Sequence, residues 1–131
     1  MKFFILIFFL ISEFACLSQS ICPIIPTPKH YELAIGILEL ENEISINTES
    51  VPINVLDFLS NELNQHLGLK IRGSKSDSAV LLEFRRAVNS PTDSYSILIT
   101  DRITISFSSD ASCFYAVNSL LQMIENTNGH I

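Results

Sequence analysis

The sequence predicts an α+β sandwich. Its mostly antiparallel sheet has four to five strands, two helices pack on one face, and the element order is β-α-β-β-β-β-α. Two stretches carry that expectation. In the run from Tyr95 to Ile124, Ile97, Ile99, Ile103, Ile105 and Phe107 alternate with mostly polar residues, and an apolar helical stripe follows. Period two is the signature of half-buried strands, and period 3.6 that of an amphipathic helix. From Val55 to Leu67, the leucines at 56, 59, 63 and 67 recur at spacings of three and four. Two amphipathic helices must bury their stripes, and a sheet with one apolar face is the surface that takes them.

The elements follow in order. Pro23, Pro26 and Pro28 crowd ICPIIPTPKHYE, which excludes helix and favours an extended lead-in. Ile37 to Ile46 reads ILELENEISI, a strand pattern with an irregularity near Asn42. Pro52 suits the approach to the first helix, and Gly68 suits a left-handed cap at its end. Leu69 to Arg72 leaves that helix as a short strand, and GSKSDS, 73–78, is a polar loop. AVLLEF, 79–84, is a short apolar run bounded by turn residues and so a buried strand. NSPTD, 89–93, is a turn, and Asp101-Arg102 turns between the last two strands. Ser108-Ser109-Asp110 opens the second helix. Cys113, Val117, Leu120, Leu121 and Ile124 line one of its faces with Phe114 beside them.

The first twenty residues are expected to stand apart from this domain. Lys2 supplies a positive start, and Phe3 to Ile11 is apolar without a break. Ser18 and Ser20 provide small residues for cleavage after Ser20. That is a secretory signal peptide, too short in its apolar part to span a bilayer. Lipidation at Cys16, which would leave the chain anchored, is the alternative reading. The chain therefore divides into 1–20 and a domain over 21–131. The expected location is secreted or extracytoplasmic: periplasmic, cell-surface or lysosome-like, with no membrane span after cleavage. Cys22 and Cys113 remain after cleavage. A disulfide between them is open in an oxidising compartment, and a buried free thiol at 113 with a tail thiol at 22 is the plainer alternative.

The chemistry is sparse. The net charge of −6 repels phosphate backbones and argues against nucleic acid. Glu39, Glu41 and Glu43 alternate, which on a regular strand puts neighbours roughly 6.6 Å apart on one side. That spacing resembles the paired carboxylates of a glycosidase. Nothing nearby would raise the pKa of a general acid, so a solvated strand face is the expected reading. His30, His66 and His130 hold no zinc spacing and read as surface histidines. There is no G-x-S-x-G context and no glycine-rich phosphate loop. Arg85-Arg86 reads as solvated edge charge. Tyr95 and Tyr115 fall in packing elements, leaving Tyr31 alone to stack on a sugar. No catalytic, metal or cofactor-binding residue is expected.

The pattern resembles the N-terminal, non-catalytic domain of glycoside hydrolase family 20, the β-N-acetylhexosaminidases. That domain closes with a Y-x-L-x-I strand, a turn, an I-x-I strand and a helix. Tyr95, Ile97 and Ile99 match the first strand, and Ile103 and Ile105 the second. Phe114-Tyr115-Ala116 and Leu120-Leu121-Gln122-Met123 follow the helix. Ile24-Ile25-Pro26-Thr27-Pro28 is similar to the family's I-x-P-x-P lead-in, and Gly36 stands where a glycine often precedes the first strand. Ser112 replaces the usual glycine at the helix start, Ser119 a threonine and Arg102 a turn glycine.

The resemblance implies a catalytic (β/α)₈ barrel as partner, carrying an adjacent Asp-Glu pair for substrate-assisted hydrolysis. No such barrel lies within these residues, and no catalytic residue carries over. The expectation is an accessory domain of a secreted hexosaminidase that stops before its barrel, with no activity of its own. The alternative is a stand-alone extracytoplasmic carbohydrate- or protein-binding module of the same fold.

Overall fold

The computed structural model describes residues 22, 24–25, 27–32, 35–74 and 81–126. The leader over 1–20, with Cys16, and His130 lie outside the described residues.

The elements are β1 (Glu43–Ile46), α1 (Ile53–Leu67), β2 (Lys70–Gly73), β3 (Leu82–Arg86), β4 (Tyr95–Ile99), β5 (Ile103–Phe107) and α2 (Asp110–Asn126). Their kinds and order are those the sequence predicts. β1 is shorter than the alternation over 37–46, because regular pairing begins only after the irregularity at Asn42. β3 starts at Leu82 rather than Ala79, and residues 79–80 lie outside the described residues.

Strand direction departs from expectation. The five strands form one sheet in the order β2-β1-β3-β5-β4. β1 runs parallel to β2 and to β3, β3 runs parallel to β5, and only β4 and β5 are antiparallel. The sheet is therefore mixed and mostly parallel. The reason lies in the connections. α1 carries the chain from β1 back to β2, which must then run parallel to β1. β2 and β3 flank β1, and β5 slots between β3 and β4, so the consecutive strands β2 and β3, and likewise β3 and β4, are not sheet neighbours.

Alternation then assigns the faces. Ile44, Ile46, Leu82, Phe84, Ile103, Ile105 and Phe107 point inward and are buried. Val55, Leu59 and Leu63 of α1 meet them, with Val117, Leu120 and Ile124 of α2, in a single core. Each such side chain contributes about 1.5–3 kcal/mol on burial. α1 and α2 contact one another as well as the strands, so both helices cover the same face of the sheet. The outer face carries Glu83, Arg85, Ser96, Thr104 and Ser106. Its register sets Glu83 beside Thr104 and Arg85 beside Ser106.

Helix ends are closed by local chemistry. Gly68 stops α1 in the left-handed region at φ 67°. Its N–H donates to Asn64 O at 3.2 Å, and the Leu69 N–H donates to Leu63 O at 3.1 Å. This paired closure needs a residue without a Cβ penalty at positive φ. At the start of α2, Ser109 Oγ accepts the Ser112 N–H at 3.1 Å. Ser112 Oγ reaches back to accept the N–H groups of Ser109 at 2.9 Å and Ser108 at 3.1 Å. This is a capping box with serine in the place of the usual Glu or Gln.

Candidate functional site

The side chains that might carry chemistry are held apart by the fold. Glu39, Glu41 and Glu43 are all exposed, but only Glu43 lies in a strand. The regular spacing of a paired-carboxylate site is thus not built. Glu43 pairs with Arg72 across the β1–β2 register at 3.8 Å, both side chains in solvent. His30 sits 3.1 Å from Glu32 in the lead-in, and His66 sits 3.3 Å from Glu62 one turn earlier on α1. Among the described residues, no three His, Cys, Asp or Glu side chains gather as a metal site.

The two arginines take separate structural tasks. Arg85 donates to both carboxylate oxygens of Glu83, from Nε at 2.7 Å and Nη2 at 2.9 Å, on the outer face. Arg86 turns the other way. Its guanidinium lies 5.1 Å from the centre of the Phe107 ring and bonds Asp110 in the first turn of α2. A cation over an aromatic face and a carboxylate at a helix start are both favourable placements. Together they tie the end of β3 to the start of α2.

The same end of the sheet holds a polar network that the sequence shows only as a serine cluster. Asp93, at φ 57°, accepts the Ser109 hydroxyl hydrogen. Ser94 N–H donates to Ser108 Oγ at 3.0 Å, and Ser108 N–H donates to Ser94 O at 3.0 Å. A helix N-terminus is a ready anion site when its N–H groups are free. Here the N–H groups of Ser108, Ser109 and Ser112 are taken by side chains of the cluster itself. A nearby cleft of about 140 Å³ is lined by Ala87, Ser90, Ser94, Tyr95, Ser96 and Ser106. Its side chains offer hydroxyls but no general base, and it is below the ~300 Å³ of an ordinary ligand pocket.

Among the described residues, the two cysteines are unpaired: Cys113 is buried and Cys22 half-buried. The plainer of the two sequence readings holds, and the Cys22–Cys113 disulfide is not formed. Burial, reinforced by the Asp110 charge and offset by Arg86, pushes the Cys113 thiol up to about 11. Such a thiol is protonated at neutral pH and is a poor nucleophile.

The tyrosines reverse one expectation. Tyr31 is half-buried, and burial, with Cys22 beside it, raises its phenol above the ordinary value. Tyr95 packs inward and shares a hydrogen bond with Ser119 Oγ at 2.8 Å. Tyr115 is the open one, 55% exposed. It sits on the outer flank of α2 beside Phe114, whose ring centre lies 6.4 Å away, and Phe114 is 5.0 Å from Phe58 on α1. Sequence reasoning placed Tyr115 in a packing element. The helix stripe is real, but Tyr115 lies off its buried side.

The lead-in is fixed by another side chain of α2. Gln122 Oε1 accepts the Ile25 N–H at 2.7 Å, and Gln122 Nε2 donates to Ile25 O at 3.1 Å. The amide satisfies both backbone groups of one residue, as a neighbouring strand would. Ile24 is buried by this docking while Ile25 stays exposed.

A mixed sheet with two helices on one face, and polar groups spent on holding it together, defines a two-layer α+β module. The family model for glycosyl hydrolase family 20, domain 2, matches residues 22–131, and the chain belongs to that family. Among solved structures it is similar to the β-N-acetylhexosaminidase from Bacteroides fragilis NCTC 9343. That match has 29% identity and a TM-score of 0.68, covering 76% of this chain and 20% of the other. It also shares its fold with the exo β-N-acetylglucosaminidase from Vibrio harveyi, at 17% identity and TM-score 0.68, covering 77% of this chain and 16% of that one. The chain thus spans about a fifth or less of the length of these solved relatives. A search of curated proteins returned no match.

Proposed function

We propose that this chain is the accessory domain of a secreted β-N-acetylhexosaminidase, non-catalytic in itself, which packs against and stabilises the catalytic barrel of that enzyme. The full-length enzyme would hydrolyse terminal N-acetylhexosamine residues. The leader over 1–20 would direct export and be removed, leaving 21–131. The carrying observation is the family match over 22–131, set beside coverage of only 20% of the Bacteroides fragilis enzyme. The scattered carboxylates and histidines support the same reading, since acid–base hydrolysis needs two groups converging on one bond. No helix among the described residues is long and apolar enough to cross a membrane.

The test is direct. The purified chain is assayed for release of chromophore from an aryl N-acetylglucosaminide, and for binding of N-acetylglucosamine oligomers by calorimetry. Neither hydrolysis nor binding is expected. Saturable binding would favour a stand-alone sugar-binding module, and hydrolysis abolished by changing Glu39, Glu41 or Glu43 would establish an autonomous enzyme. An open frame beyond the codon for Ile131 that encodes a barrel with a neighbouring Asp-Glu pair is the expected genetic counterpart.

A further inference from the structure

We infer that β4 pairs edge to edge, antiparallel, with β4 of a second copy of this chain, Leu98 lying opposite its counterpart. The inference does not depend on the accessory-domain reading. β4 ends the sheet: β5 lies on one side of it, and among the described residues no strand pairs with the other. The backbone bonds fix which groups face that open side. Ser108 N–H donates to Ser94 O at 3.0 Å, and Thr100 N–H to Arg102 O at 2.9 Å. Bonded and unbonded positions alternate along an antiparallel pair. Ser96 and Leu98 therefore bond to β5, and the N–H and C=O groups of Tyr95, Ile97 and Ile99 point out of the sheet edge. β5 agrees, since Ile103 N–H donates to Leu81 O and Phe107 O accepts from Ala87 N–H, both toward β3. A row of donors and acceptors at that spacing takes one kind of partner, an extended backbone.

Open edges are ordinarily blunted by Lys, Pro or a bulge. The register of β4 with β5 runs from Tyr95–Phe107 to Ile99–Ile103 without a bulge. From Ser94 to Thr100 there is neither a charge nor a proline. The opposite edge, β2, carries Lys70 and Arg72 and ends at Gly73. Ile97 and Ile99 pack against the core, while Leu98, on the outer face, is 62% exposed.

The occupant is a second copy because the strand is complementary to itself in one register. Tyr95, Ile97 and Ile99 have to take the bonded positions, so odd residues pair with odd. Centring the pair on Ile97 sets Asp93 opposite Asp101, like charges face to face. Centring it on Ser96 sets each Leu98 opposite Ser94. Centring it on Leu98 pairs Ile97 with Ile99 and Arg102 with Ser94, and no like charges are opposed. The two leucines then meet at an unbonded position, where side chains come closest. Such a contact is isologous and closes at two. It consumes both β4 edges and leaves only the basic β2 edges open. Five strand residues a side fall short of the roughly 20–30 of a standard interface, so the dimer is weak and forms with concentration.

The experiment is sedimentation equilibrium of the purified chain from about 10 µM to about 1 mM, with amide hydrogen exchange at both ends of that range. A monomer–dimer equilibrium is expected. The Ile97 and Ile99 amides should exchange several-fold more slowly at the high concentration, while the Leu98 amide, already bonded to β5, changes little. Leu98→Lys and Leu98→Glu each oppose like charges, and each should weaken the dimer about tenfold or more. Their far-UV spectra and melting temperatures should match those of the unaltered chain, because the side chain lies in solvent. Mixing the two variants should restore a dimer containing one copy of each. A chain that stays monomeric at about 1 mM, or that dimerises with the Ile97 and Ile99 amides unchanged, would overturn the inference. So would association that both variants leave intact, or slowed exchange confined to the amides of β2. A mixture of the two variants that stays monomeric would overturn the register centred on Leu98.

Discussion

Replacing Ser112 by alanine removes one oxygen from the start of α2, and three hydrogen bonds go with it. Ser112 Oγ accepts from Ser109 N–H at 2.9 Å and Ser108 N–H at 3.1 Å, and donates to Ser109 O at 2.9 Å. The residue is fully buried, so water does not readily replace it. Loss of a helix cap costs about 0.5–2 kcal/mol, and a buried donor left without a partner costs about 1–3 kcal/mol. Ser109 and Ser108 are only half-buried, so their N–H groups can recover part of that loss by local shift. The expected destabilisation is about 2–3 kcal/mol. For a domain of this size it lowers Tm by roughly 10–20 °C. Urea unfolding followed by far-UV circular dichroism should show a lower midpoint with an unchanged slope, because the surface exposed on unfolding is the same. Ser119→Ala is the internal comparison. It loses the single bond to Tyr95, a half-buried phenol, and should cost about 0.5–1.5 kcal/mol. A Ser112→Ala loss within 0.5 kcal/mol of wild type, or smaller than that of Ser119→Ala, would refute the assignment of Ser112 as the cap that closes this helix.

Other consequences follow from the core. Cys113 should resist a thiol reagent at pH 8 in the native chain and react once guanidinium unfolds it, as absorbance of the released thiolate would report. Its thiol titrates near 11 when folded against an ordinary 9.0, so the folded state holds the proton longer. Its contribution is fully present below pH 9 and is lost as pH rises through 11, at no more than about 1.4 kcal/mol per unit. Cys113→Ala should flatten that decline in an alkaline series of urea melts. Leu59→Ala, at the fully buried centre of the α1 face, should cost about 2–5 kcal/mol, measured by the same melts. A cost under 1 kcal/mol would mean that α1 does not pack on the sheet as described.

The element order was legible because each signal is local. The leucine spacing of 55–67, the alternation through 95–107 and Gly68 as a stop each depend on a few neighbouring residues. So does the serine cluster at the start of α2, although its reciprocal bonding through Ser112 was not legible. The alternation of Glu39, Glu41 and Glu43 was legible as spacing, but whether it falls on a regular strand was not, and only Glu43 does. The lead-in motif was read as an extended segment, but its attachment to Gln122, 97 residues away in the chain, leaves no local trace.

By itself, the sequence determined which residues form strands and helices, which side of each is apolar, and the family to which that succession belongs. Tertiary structure decided strand direction, strand order and the exposure of Tyr115. Period two states which side chains share a face and is blind to the direction in which a strand runs, so short connections suggested hairpins. Only the β4–β5 connection is one: α1 returns the chain so that β2 pairs parallel to β1, and the β2–β3 and β3–β4 connections each pass over a strand that pairs between their ends. Likewise the α2 stripe fixes which side faces the sheet, but the position of α1 decides how much of the flank is covered. It meets Phe114 through Phe58 and leaves Tyr115 to solvent, and that is a property of two helices together.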